Sequence, residues 1–148
     1  MRKGIIYIMD DEKTGLDIVV TQIREHEKFD GFNLRKSQYP DEVAHFVEEA
    51  IKEGYEVPIV ILDYKAPPKD DNSLVKNGFD SALAIKRISP YSQIIMNTAQ
   101  AGPEVMEDAL NHPGLLVGWI DKKKPEYGKR LCARIQKGLE IYEQLRPS

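Results

Sequence analysis

Cysteine is nearly missing: Cys132 is the one cysteine in 148 residues, so no intramolecular disulfide can form and the chain suits a reducing compartment. Long apolar runs are missing too. Residues 5–9 (IIYIM) are too few for a signal-peptide core or a membrane span, and two acids follow them at once. No other stretch approaches the ~20 apolar residues of a transmembrane helix. A cytoplasmic protein with no membrane contact is therefore expected. Neither sign of charge dominates, since 21 Lys and Arg stand against 24 Asp and Glu for a net −3. That balance gives no footprint for nucleic acid, and Glu126 interrupts the one basic stretch, residues 122–130. The nucleotide-binding loops G-x-x-x-x-G-K-[ST] and G-x-G-x-x-G do not occur. His26, His45 and His112 have no Cys or His at ligand spacing, which argues against a zinc-type site.

What is present is an alternation of short apolar runs with longer amphipathic ones. Residues 5–9 are β-branched and aromatic and read as a strand that ends at Asp10 and Asp11. Leu16, Val19, Val20 and Ile23 share one face at helical spacing and predict a helix over 13–28. Residues 31–38 alternate loosely, a weak second strand. Pro40, Asp41 and Glu42 open a helix whose apolar face is Val43, Phe46, Val47, Ala50 and Ile51, and Gly54 ends it. Residues 57–62 form the most apolar strand and run into Asp63. A polar loop over 65–77 precedes a helix over 79–88, a strand over 92–97, and a short helix over 103–111. A fifth strand over 115–120 follows. Pro125 is expected to open a last helix with Leu131, Ile135, Leu139 and Tyr142 on one stripe. Five strands alternating with five helices predict an α/β fold: a doubly wound five-stranded parallel sheet, flavodoxin-like order 2-1-3-4-5, with helices on both faces. One domain is expected to fill residues 1–148.

Open parallel sheets bind ligands outside the carboxyl ends of their strands, where the winding direction reverses. Asp10 and Asp11 end the first strand, Asp63 the third and Thr98 the fourth, and Lys122 lies just past the fifth. In the order 2-1-3-4-5 the three carboxylates converge in one acidic cleft, with Thr98 and Lys122 beside them. Carboxylates packed that closely repel one another unless positive charge sits among them. A hard cation such as Mg²⁺ suits carboxylates, a backbone carbonyl and waters, and Lys122 adds a fixed charge. A nucleophile, a metal and further donors are what phosphoryl transfer needs, and the central Asp63 is the natural nucleophile.

The residues of these strand ends resemble the receiver domain of two-component response regulators over essentially the whole chain. The matching segments are IIYIM with Asp10 and Asp11, VILDYKAPP with Asp63, MNTA with Thr98 and Ala99, and GWIDK with Trp119 and Lys122. The resemblance implies that Asp11 and Asp63 hold Mg²⁺, with Asp10 acting through water and the Lys65 carbonyl as a further ligand. It implies that Asp63 takes a phosphoryl group from a sensor histidine kinase or a histidine phosphotransfer protein. Lys122, the Thr98 hydroxyl and the Ala99 backbone N–H would hold the phosphoryl oxygens. Trp119 takes the place of the aromatic switch residue, although a lone Trp at a strand end is also ordinary core or interface packing. A regulatory phospho-acceptor rather than a turnover enzyme is implied, a stand-alone receiver or phosphorelay intermediate. It would contact a downstream protein target, or a second copy of itself, through the face of helix four, strand five and helix five.

Two departures stand out. Ala66 occupies the place before Pro67 where receivers usually carry Met or Leu. The usual nearby glycine appears only at Gly78, so residues 68–77 contain an insertion beside the site. The altered loop keeps a second reading open, a pseudo-receiver that binds partners without phosphorylation. A third is a haloacid-dehalogenase-like phosphatase, which also uses an aspartyl phosphate. Its Asp-x-Asp pattern is here Asp10-Asp11-Glu12, and its nucleophile would not lie on strand three.

Overall fold

The computed structural model describes residues 4–99 and 102–147. Five parallel strands, β1 (Gly4–Met9), β2 (Asn33–Ser37), β3 (Glu56–Asp63), β4 (Gln93–Thr98) and β5 (Gly118–Asp121), form one sheet in the order β2-β1-β3-β4-β5. The connecting helices are α1 (Lys13–Arg24), α2 (Pro40–Lys52), α3 (Gly78–Ile88), α4 (Pro103–Asn111) and α5 (Tyr127–Leu145).

Side chains of the central strands alternate between two cores, as strand pleating requires. Tyr7, Met9, Val60, Leu62, Ile94 and Met96 pack with Val43 and Val47 of α2 and Phe79, Ala82 and Ile85 of α3. Ile6, Ile8, Ile59, Ile61 and Ile95 meet Leu16, Val19 and Ile23 of α1 and Leu131, Cys132 and Ile135 of α5 on the other face. Burial on both faces explains why β3 reads as a continuous apolar run rather than an alternating one.

Most boundaries fall within two residues of the sequence expectation, and three of the differences have a local structural cause. The first helix stops at Arg24, and a 3₁₀ turn over Glu27–Phe29 follows; it buries Phe29, so an apolar residue beyond the helix still serves the same core. The fifth strand is Gly118–Asp121 rather than 115–120. Leu115 is instead buried against the α2/α3 core, and Val117 donates to the Ile94 carbonyl at 2.8 Å just before the strand begins. The last helix starts at Tyr127, not at Pro125. Glu126 intervenes with a left-handed backbone (φ 60°), which no helix can propagate, and its carbonyl accepts the first bond, from Arg130 N–H at 3.0 Å. Pro40, by contrast, does stand at the first turn of its helix, where a missing N–H costs nothing.

Candidate functional site

Strand register places the site. Met9 pairs with Leu62, Asp63 with Asn97, and Thr98 with Asp121. The carboxyl ends of β1, β3, β4 and β5 are thus level, and Asp10, Asp63, Thr98 and Lys122 fall together at the winding reversal between β1 and β3. A cleft of about 350 Å³ opens there, and its lining includes Asp10, Asp11, Asp63, Lys65, Thr98, Ala99 and Lys122. The structure therefore brings together seven of the eight residues singled out from sequence.

Each acid is held differently. Asp10 is 2% exposed, accepts from Glu12 N–H at 3.0 Å through Oδ1, and takes the Lys122 ammonium at 2.6 Å on Oδ2. Lys122 also stands 3.7 Å from Asp63 Oδ1, so one cation faces two carboxylates. Its own backbone N–H donates to the Thr98 carbonyl at 2.7 Å, which fixes the lysine to the end of β4. Asp11 is exposed and Asp63 is buried. Carboxylate oxygens of Asp10, Asp11 and Asp63 lie within 4.8 Å of one another. Burial pushes the Asp63 carboxyl up to about 7; the hydrogen bond with Asp11 and the charges of Asp10 and Asp11 add to this, and the Lys122 ammonium opposes it.

Three carboxylates and one ammonium leave the cleft net negative, and every ligand they offer is oxygen. Such a donor set fits a hard divalent cation and does not fit a thiolate- or imidazole-seeking one.

No protein-family model matches the chain, and no curated protein matches it either. Solved structures do. A response regulator receiver domain protein from Methanospirillum hungatei JF-1 superposes with a TM-score of 0.72 at 22% identity, covering 97% of this chain and 98% of that one. The signal receiver domain of an HD domain-containing protein from Pseudomonas fluorescens Pf-5 gives 0.73 at 16% identity over 97% and 99%. A receiver domain protein from Clostridium thermocellum gives 0.72 at 22% over 97% and 99%. The chain has the response-regulator receiver fold.

Within the receiver fold, Trp119 stands apart from the cleft. It lies on β5, half-buried against the α2/α3 core, and borders two cavities near α5 that share Arg134. Thr98 ends β4 and is 1% exposed. The insertion does not enter the cleft lining. It turns aside to α2, where the Asp41 carboxylate accepts the N–H groups of Lys69 and Asp70 at 2.9 and 3.1 Å, and Lys69 pairs with Glu42 at 3.3 Å. The chain then returns: Gly78 N–H donates to the Tyr64 carbonyl at 3.0 Å. Among the described residues, no helix is long and apolar enough to cross a membrane.

Sequence reading missed two supports. A β-carbon on Gly15, in the first turn of α1, would overlap the Asp10 carboxylate, and one on Gly78 would overlap the Asp63 carbonyl. A glycine inside a helix start is costly enough to signal a close approach.

Proposed function

We propose that the chain is a phospho-acceptor switch: Asp63 takes a phosphoryl group from a phosphohistidine on a kinase or phosphotransfer protein, and the gain of charge alters protein contacts. The observation that carries this reading is the meeting of Asp10, Asp11 and Asp63 with Lys122 at the level strand ends. Asp11, Asp63 and Asp10 would hold Mg²⁺, with the Lys65 carbonyl as a further oxygen; when bound, the ion supplies the positive charge that lets acids and phosphoryl oxygens share one cleft.

The residues themselves do the rest. Asp63 must be ionised to attack, and Lys122 favours that form. As the P–N bond of the donor breaks, an Asp63 oxygen bonds to phosphorus and the imidazole leaves. Lys122, held between Asp10 and Asp63, is placed to follow the new charge. The Thr98 hydroxyl and Ala99 N–H would donate to remaining oxygens, charge-assisted bonds of the stronger kind. Trp119, on the strand that leads to Lys122, is the candidate reporter of the change. The face formed by α4, β5 and α5 is the candidate surface for a target or a second copy. Switching means a shift between two arrangements, limited in size by how differently the phosphoryl group interacts with each.

Intact-protein mass after incubation with Mg²⁺ and a small-molecule phosphodonor tests this. Wild type gains one phosphoryl group and Asp63→Asn gains none. No gain by a folded wild-type protein would favour a binding module that dispenses with phosphorylation.

A further inference from the structure

Asp63 ends β3 and Tyr64 is the first residue past it, and the two side chains go to different places. Asp63 turns to the acidic cleft, whereas Tyr64 is 6% exposed in the α2/α3 core. The Tyr64 hydroxyl donates to Asp108 Oδ2 at 2.7 Å, joining the residue beside the acceptor to α4 across 44 positions of sequence. The Tyr64 carbonyl is fixed as well, by Gly78 N–H. Tyr64 is therefore a stiff connection.

Among the described residues, α4 has little else to hold it. Val105 is its single buried residue, against three in α1, four in α2 and five in each of α3 and α5. Met106 and Leu110 face solvent at 49% and 79% exposure. At the far end the His112 ring stands edge-on to Phe79, centroids 5.0 Å apart. A hydrogen bond to a carboxylate is of the stronger kind, so among the described residues the main directional tie between α4 and the end of β3 passes through Tyr64. α4 also carries Glu104, Glu107 and Asp108 and no lysine or arginine. An aspartyl phosphate carries about −1.5 to −2 where the ionised carboxylate carried −1, so phosphorylation adds up to about one negative charge. Negative charge gained at Asp63 and a docked acidic helix therefore oppose each other.

We infer that Tyr64 is a positioning residue that couples the acceptor to α4: its bond to Asp108 keeps the helix docked and resists added negative charge at Asp63. This rests on the receiver reading above. Coupling is reciprocal, so loosening α4 must tighten the binding of a phosphoryl mimic, and the mimic must loosen α4.

The test uses the full chain, Tyr64→Phe, and beryllofluoride with Mg²⁺ as the mimic. Affinity is read from Trp119 fluorescence, and amide hydrogen exchange over residues 103–111 is measured on the same samples. The variant should exchange faster in α4 and bind beryllofluoride about fivefold tighter. Asp108→Ala, which leaves the core untouched, should do the same, and the double variant should add nothing further. Wild type that binds beryllofluoride beside variants with unchanged or weaker affinity would overturn the coupling while sparing the receiver reading. Unchanged exchange over α4 in both variants would also overturn it. A wild-type protein that binds no beryllofluoride would instead overturn the receiver reading, and the coupling with it.

Discussion

Ionising Asp63 in the folded protein should cost stability, and Asp63→Asn isolates that cost. Burial, the hydrogen bond with Asp11 and two neighbouring negative charges raise its carboxyl from 3.8 to about 7 against the pull of Lys122. Between those values the native protein keeps a proton that the unfolded chain has lost. Stability therefore falls as pH rises through that window and levels off above it. A rise of that size corresponds to at most ~4 kcal/mol. Asparagine cannot ionise, and Lys122 retains Asp10 at 2.6 Å in its absence. The variant should match wild type near pH 4 and exceed it by roughly 2–4 kcal/mol near pH 8.5. For a domain of this size the gain is about 4–15 °C in Tm. Urea unfolding of both proteins across that range, with chelator present, measures it. Mg²⁺ should narrow the gap at the alkaline end, because it binds folded wild type and not the unfolded chain. A difference independent of pH, or an Asn variant less stable near pH 8.5, would refute the reasoning.

Other expectations follow from the same contacts. Lys122→Ala leaves Asp10 buried without its cation and should cost about 3 kcal/mol in chemical denaturation, part of it recovered with Mg²⁺; on the phospho-acceptor reading, intact mass still shows phosphorylation, but the exchange pattern no longer responds to it. Gly15→Ala pushes a methyl group into the Asp10 carboxylate and should weaken Mg²⁺ binding severalfold by titration calorimetry, about 1 kcal/mol. Glu126→Gly relieves a left-handed backbone and should raise stability by about 1 kcal/mol in urea, with no change in phosphorylation.

Sheet order was readable because the strands announce themselves by composition and the crossovers leave few topologies. Asp10, Asp11, Asp63, Thr98 and Lys122 were readable because each stands within two residues of the end of an apolar run, and level register then brings the runs' ends together; Lys65 and Ala99 came only with the receiver resemblance. Boundaries were harder. Leu115 looked like strand because it is apolar, but its burial comes from packing against the α2/α3 core rather than from pairing. Pro125 looked like a helix opener, and only the backbone shows the left-handed residue that delays α5. Tyr64–Asp108 was invisible: two polar groups 44 positions apart leave no periodic trace. The insertion could be seen as extra length, but its docking on Asp41 depends on carboxylate geometry at the start of α2.

The most direct test of the central claim is to find where a phosphoryl group resides. Protein treated with Mg²⁺ and phosphodonor is reduced with borohydride, which converts an aspartyl phosphate to homoserine, and its peptides are sequenced. Homoserine at position 63 alone is the expected result. Homoserine at position 10 or 11, or at no position in a folded protein, would contradict it.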